Sequence, residues 1–260
     1  MSQAAPAPDG VRRQLRRLAT IAGPHRSPRR NRHLASVLAL NAGVLNSAGC
    51  IAVATYTSHM TGLTASVADH LVTGDRQLVF IGLTAIGMFV LGAMACAVLF
   101  NWARRRELQS RFAGVIVLEA LLILVFGLLA SSLQGSTRDW VIIGVLGFTM
   151  GLQNAIITKI SGAQIRTTHV TGMITDIGIE LGKALYRSRR PGIPPVRAHR
   201  ERLGLHTLLV AMFFIGGVIG AAGYLLIGFP VVLPAAALLL TLAMPPLVAD
   251  LRGPRSREQA

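Results

Sequence analysis

Six stretches of this chain carry almost nothing but apolar side chains, and short arginine-rich segments separate most of them. The runs are Leu34–Tyr56, Leu78–Trp102, Phe112–Leu133, Trp140–Thr158, Leu205–Phe229 and Val231–Ala249. Each is close to the roughly 20 residues an α-helix needs to cross a hydrocarbon core about 30 Å thick. A surface helix of a soluble domain keeps one polar face, whereas these runs are apolar all round. The pattern predicts an all-α membrane protein with about six transmembrane helices. Pro230 parts the last two runs, which fits a tight helical hairpin. A 33-residue polar tail precedes the first run, so no cleavable signal peptide is expected.

Composition supports this reading. Hydrophobic residues make up 52% of the chain and charged ones 14%, with a mean hydropathy of +0.54. Soluble domains carry about 25% charged residues. The net charge of +15 would point to nucleic acid in a soluble protein. In a membrane protein it marks cytoplasmic loops that meet anionic lipid, and no nucleic-acid partner is expected. Cys50 and Cys96 fall inside predicted spans, where they read as small packing residues. No metal or other cofactor is expected. Basic residues that are nearly all Arg, with abundant Ala and Gly, fit a GC-rich bacterial genome.

The charges orient the spans. Of 26 basic residues, 24 fall in the N-terminal tail, after the second span, after the fourth span and in the C-terminal tail. Arg76 and Arg138 alone remain for the opposite side. Both termini are therefore expected in the cytoplasm, in a multi-pass protein of the bacterial inner membrane. Residues 11–22 fit a short interfacial helix or a disordered basic tail equally well, with an organellar transit peptide as a third reading. Arg187–Arg202, with Pro191, Pro194 and Pro195, reads as a cytoplasmic linker.

An internal repeat is the most informative feature. Ser58-His59-Met60-Thr61-Gly62-Leu63 matches Thr168-His169-Val170-Thr171-Gly172-Met173, and over fourteen residues four positions are identical. Upstream, Gly43-Val44-Leu45-Asn46 resembles Gly151-Leu152-Gln153-Asn154. The chain then divides into a basic tail (1–33), a first three-helix repeat (34–133), a second (140–249, with the linker 187–202) and a basic tail (250–260). A unit of three spans is odd, so the second copy must lie inverted, with short motif helices after spans one and four. Secondary transporters are often built this way.

The repeat supplies candidate substrate-binding residues: Asn46, His59, Thr61 and Gly62 in the first half, and Asn154, Thr168, His169, Thr171 and Gly172 in the second. An amide inside an apolar span needs a partner or a cavity. A Thr hydroxyl before a helix can cap its N-terminus, Gly allows close approach, and a helix N-terminus favours anions. The competing interpretation gives Asn and Thr the part of interhelical glue and His that of an interfacial structural residue. Glu119 and Asp176 are candidate proton carriers, beside the two His. Glu119 could equally pair with Arg111 or Arg166, and Glu180 with Lys183. Glycines in the second, fourth and fifth spans read as packing faces.

At these motifs the chain resembles the YoaK family, bacterial inner-membrane proteins built around a domain of unknown function. The resemblance rests on Met150-Gly151-Leu152-Gln153-Asn154-Ala155 and on Arg166-Thr167-Thr168-His169-Val170-Thr171-Gly172-Met173-Ile174-Thr175-Asp176, and extends over residues 33 to 250. Asn46 stands where the family usually carries Asp, and Leu63 where it usually carries Asn. The resemblance implies a fold and a location, and no particular activity.

No nucleotide-binding loop, metal-spaced cluster or nucleophile beside a base is visible, so an enzyme is not expected. The sequence points to a small secondary transporter or permease for a small polar or anionic solute. The alternative is a non-transporting scaffold, or a sensor of lipids or partners, acting through the basic segments. A homo-oligomer is compatible with either.

Overall fold

The computed structural model describes residues 28–108, 110, 112–160, 168–186 and 195–251. Among these, every regular element is helical: α1 (Pro28–Val53), α2 (Met60–Thr73), α3 (Arg76–Arg105), α4 (Ala113–Leu129), α5 (Gly135–Ile160), α6 (Val170–Leu185), α7 (Arg200–Ile227) and α8 (Leu233–Leu251). Short 3-10 turns at Ala130–Ser132 and Phe229–Val232 follow α4 and precede α8. The six helices other than α2 and α6 are long and apolar enough to cross a membrane, as the hydropathy pattern predicts. The expected interfacial helix at 11–22 and residues 252–260 of the C-terminal tail lie outside the described residues.

Local chemistry sets the breaks. Ala54, at φ +54°, ends α1 in the left-handed region that L-residues rarely adopt. Gly74, at φ +81°, closes α2 and returns its N–H to the His70 carbonyl. The next residue, Asp75, starts α3 by accepting the Leu78 N–H at 3.1 Å. Gly228, at φ +72°, ends α7, and Pro230 sits in the 3-10 turn that leads into α8. The linker is shorter than the sequence suggests: Arg200–Arg202 already belong to α7, because His199 accepts the Arg202 N–H as its N-cap.

The helices pack in matched pairs. α1 lies against α7 and α3 against α5; α2 rests on α3 and α6 on α7; α4 pairs with α8, and α1 with α5. Exchanging α1–α4 for α5–α8 maps each of these pairings onto another or onto itself. Burial follows the same scheme. The apolar windows of α1 and α5 are 56% and 61% buried, those of α3 and α7 only 17% and 11%. The first two form the centre, and the last two present their apolar surface outward.

Two close crossings hold this arrangement. A methyl on Gly43 would overlap the Phe213 backbone, and one on Gly216 the Leu40 carbonyl. In the other half, a methyl on Gly151 would overlap the Phe89 carbonyl, and one on Gly92 the Phe148 carbonyl. Lipid gives no hydrophobic gain for helix association, so such backbone approach is what van der Waals packing requires.

Candidate functional site

Each half builds the same small device where its long first helix gives way to its short second one. In the first half, the Ser58 hydroxyl donates to Asn46 Oδ1 at 2.7 Å. In the second, the Thr168 hydroxyl donates to Asn154 Oδ1, also at 2.7 Å. These bonds answer the need of an amide in an apolar span for a partner. They also tie the start of α2 to α1, and that of α6 to α5.

The structure corrects the expected capping. The short helices begin one residue before the threonines, so His59 and His169 occupy the N-cap positions, at φ −91° and −84°. Thr61 and Thr171 lie inside the first turn and cannot cap it. Neither helix start receives a side-chain cap. The glycines act through the histidines: a methyl on Gly62 would come within 3.1 Å of the His59 ring, and one on Gly172 would overlap the His169 ring. Glycine lets each ring fold across the first turn of its own helix.

Both devices open onto one cavity of about 1240 Å³. Asn46, Ser58, His59 and Thr61 contribute to its wall from the first half, and Asn154, Thr168, His169 and Thr171 from the second. Gly62 and Gly172 are not on the wall. Phe89 and Ala93 of α3, with Val210, Phe213 and Val218 of α7, complete it with apolar surface. Lys159 and Tyr56 also line it, and no Asp or Glu appears among the lining residues. The Lys159 ammonium stands 5.0 Å over the Phe100 ring. Two helix N-termini and one ammonium give this wall a positive bias.

Sequence reasoning missed Lys159, Tyr56 and the phenylalanines. Lys159 fell just past the predicted span end at Thr158 and was counted with the cytoplasmic charge. Phe89 and Phe213 lie in helices with no polar marker. Their one signal was helical neighbourhood to Gly92 and Gly216.

The candidate proton carriers lie elsewhere. Glu119 is fully buried and accepts a hydrogen bond from the Asn41 amide at 3.1 Å. The alternative partners Arg111 and Arg166 lie outside the described residues. Asp176 pairs with Arg202 at 3.1 Å and stands 3.6 Å from His206 Nδ1. Glu180 pairs with Lys183 at 2.8 Å, as its spacing predicts, and its other oxygen accepts the His199 N–H at 2.6 Å. The Lys183 ammonium and that N–H hold the Glu180 carboxyl below the usual carboxylate range. These contacts form a latch between α6 and the start of α7.

Six apolar spans, two of them followed by short helices that start beside a shared cavity, define a polytopic membrane protein. Within that class the chain belongs to the family described as "Protein of unknown function (DUF1275)", whose model matches residues 34–244. It is 23% identical over 189 residues to the UPF0700 transmembrane protein YoaK of Bacillus subtilis (strain 168), covering 72% of this chain and 81% of that one. The resemblance to the YoaK family read from the motifs is thereby borne out. No solved structure matches the chain.

Proposed function

We propose that the protein is a small secondary transporter, or permease, for a small polar or anionic solute, which binds between the starts of α2 and α6. One observation carries this reading: both copies of the repeated motif, more than a hundred residues apart, contribute to the wall of a single cavity. A scattered set of structural Asn, Thr and His residues would have no reason to converge there. The matched packing of the two halves supports an inverted repeat, with the short helices α2 and α6 entering from opposite faces. The one-sided distribution of basic residues supports a reading with both termini in the cytoplasm of a bacterial inner membrane, beside anionic lipid.

In this reading Thr61 and Thr171 offer hydroxyls to the solute, while Ser58 and Thr168, whose O–H groups go to Asn46 and Asn154, are hydroxyl bearers that fix the helix starts. Asn46 and Asn154 hold the hydroxyl bearers in place, and Lys159 with the two helix starts favours negative charge. His59 and His169 stand at the wall, so they are better placed than Glu119 or Asp176 to exchange a proton beside the solute.

The test is thermal unfolding of the detergent-purified protein against a panel of inorganic phosphate, sulfate, nitrate and small carboxylates. A ligand at about 100 times its dissociation constant stabilises by about 2.7 kcal/mol. Stabilisation by one member that disappears in His169→Ala and Thr171→Ala is the expected outcome. No shift from well-folded protein across that panel contradicts the anion assignment. It would favour a scaffold or sensor acting through the basic segments.

A further inference from the structure

We propose that α1, α4 and α5 enclose a second site, distinct from the cavity, for a single positive charge carried as Na⁺ or H⁺ and built on the carboxylate of Glu119. Glu119 is 0% exposed; its Oε1 accepts from the Asn41 amide, and its Oε2 meets no donor among the described residues. Asn41 Oδ1, Gln153 Oε1 and Thr149 Oγ1 are also buried without a hydrogen-bond partner there.

These groups belong together by helical spacing. Gln153 gives its amide to the Leu38 carbonyl at 2.9 Å, and Leu38 stands one turn before Asn41. Thr149 stands one turn before Gln153 on the same buried face of α5. Acceptors therefore outnumber donors along the buried α1–α5 face from which Asn41 reaches Glu119.

A buried oxygen without a donor costs about 1–3 kcal/mol, and a buried carboxylate without a counter-charge costs more. Water would supply donors but leave the charge. A monovalent cation answers both needs. One carboxylate, two amide oxygens and a hydroxyl form a hard oxygen set suited to Na⁺. A proton on Glu119 Oε2 gives the donor that a neighbouring amide oxygen lacks. Either ligand leaves the site neutral, whereas a divalent ion would leave it charged.

The titratable groups on the helices around the site are Arg29, Arg30, Arg32, His33 and Cys50 on α1, Arg76, Cys96, Arg104 and Arg105 on α3, Arg138, Asp139 and Lys159 on α5, and Asp250 on α8. None of the basic ones forms an ion pair with Glu119 among the described residues. Gln153 also adjoins Asn154 in sequence, so occupancy here bears on the helix segment that shapes the cavity wall. Any coupling of this ion to solute movement rests on the transport reading; the site itself does not.

The experiment uses full-length protein in detergent with no solute added. Unfolding midpoints are recorded with NaCl replaced stepwise by choline chloride at constant ionic strength, and separately across pH in choline alone. The expected result is a rise in midpoint with Na⁺, or with acidification in its absence, and loss of that dependence in Glu119→Gln. The Na⁺ arm and the pH arm tell the two ions apart. A midpoint indifferent to both, or a dependence unchanged in Glu119→Gln, overturns the proposal. Should Glu119→Gln fail to fold, infrared difference spectroscopy of the wild type decides. A protonated-carboxyl band that vanishes on alkalisation, or a carboxylate band that shifts on Na⁺ addition, supports the site, and neither change overturns it. Gln153→Leu, which removes one oxygen, should weaken the Na⁺ or H⁺ response severalfold. Because chloride is constant in every arm and no anion of the solute panel is added, failure here leaves the solute reading untouched, and the reverse also holds.

Discussion

Asn46 and Asn154 carry the same burden in the two halves: each holds the hydroxyl of a residue just before a short helix. Removing one hydroxyl leaves a buried amide oxygen short of a donor, which costs about 1–3 kcal/mol. The Asn46 pair is buried and the Asn154 pair part-buried, so Ser58→Ala should lower stability by about that amount and Thr168→Val by less; paired unfolding curves check this. The His-x-Thr-Gly motif was legible in the sequence because it occurs twice. Its division of labour was not, because a cap position depends on backbone dihedrals, and those put His59 and His169 where the threonines were expected. Glu180 acts at the latch between α6 and α7. Its depressed carboxyl value means that its contribution to stability is complete above the ordinary carboxylate value and is lost as pH falls through the lower, folded value. Acidification through that window should loosen the α6–α7 contact. Labelling of His199→Cys should rise there in the otherwise native protein, but be raised at all pH values in Glu180→Gln.

At the scale of helices, the six spans were readable because a bilayer demands uninterrupted apolar length. Their partners were not, since hydropathy says nothing about which face of an apolar helix meets which neighbour. The glycines of the second, fourth and fifth spans did indicate close packing, and Gly92, Gly151 and Gly216 now account for that signal. Gly87, in the same run, meets nothing within 4 Å and has no such duty. The contrast yields a prediction. Gly92→Val and Gly216→Val should each destabilise by about 1–3 kcal/mol through overpacking against a facing backbone. Gly87→Ala should be neutral or slightly stabilising, since Ala favours a helix over Gly by about 1 kcal/mol. Equal losses in the first two variants would agree with the equivalence of the α3–α5 and α7–α1 crossings. Pro245 and Pro246 inside α8 are a feature that hydropathy alone passes over.

For the molecule as a whole, the sequence repeat and the matched helix pairings converge on a design in which two halves share one cavity. The repeat was visible because four identities survive in fourteen positions. The positive bias of the cavity was harder to read. It depends on Lys159 reaching across from the end of α5, which a span boundary one residue earlier conceals. The central claim is that the halves are inverted, so that α2 and α6 leave the cavity toward opposite faces of the membrane. Single cysteines at Asp75→Cys and Tyr186→Cys, with Cys50 and Cys96 replaced by alanine, mark the ends of these two helices. An impermeant maleimide applied to intact cells should label Asp75→Cys at once and Tyr186→Cys after permeabilisation alone. Labelling of both positions from the same face would contradict the account.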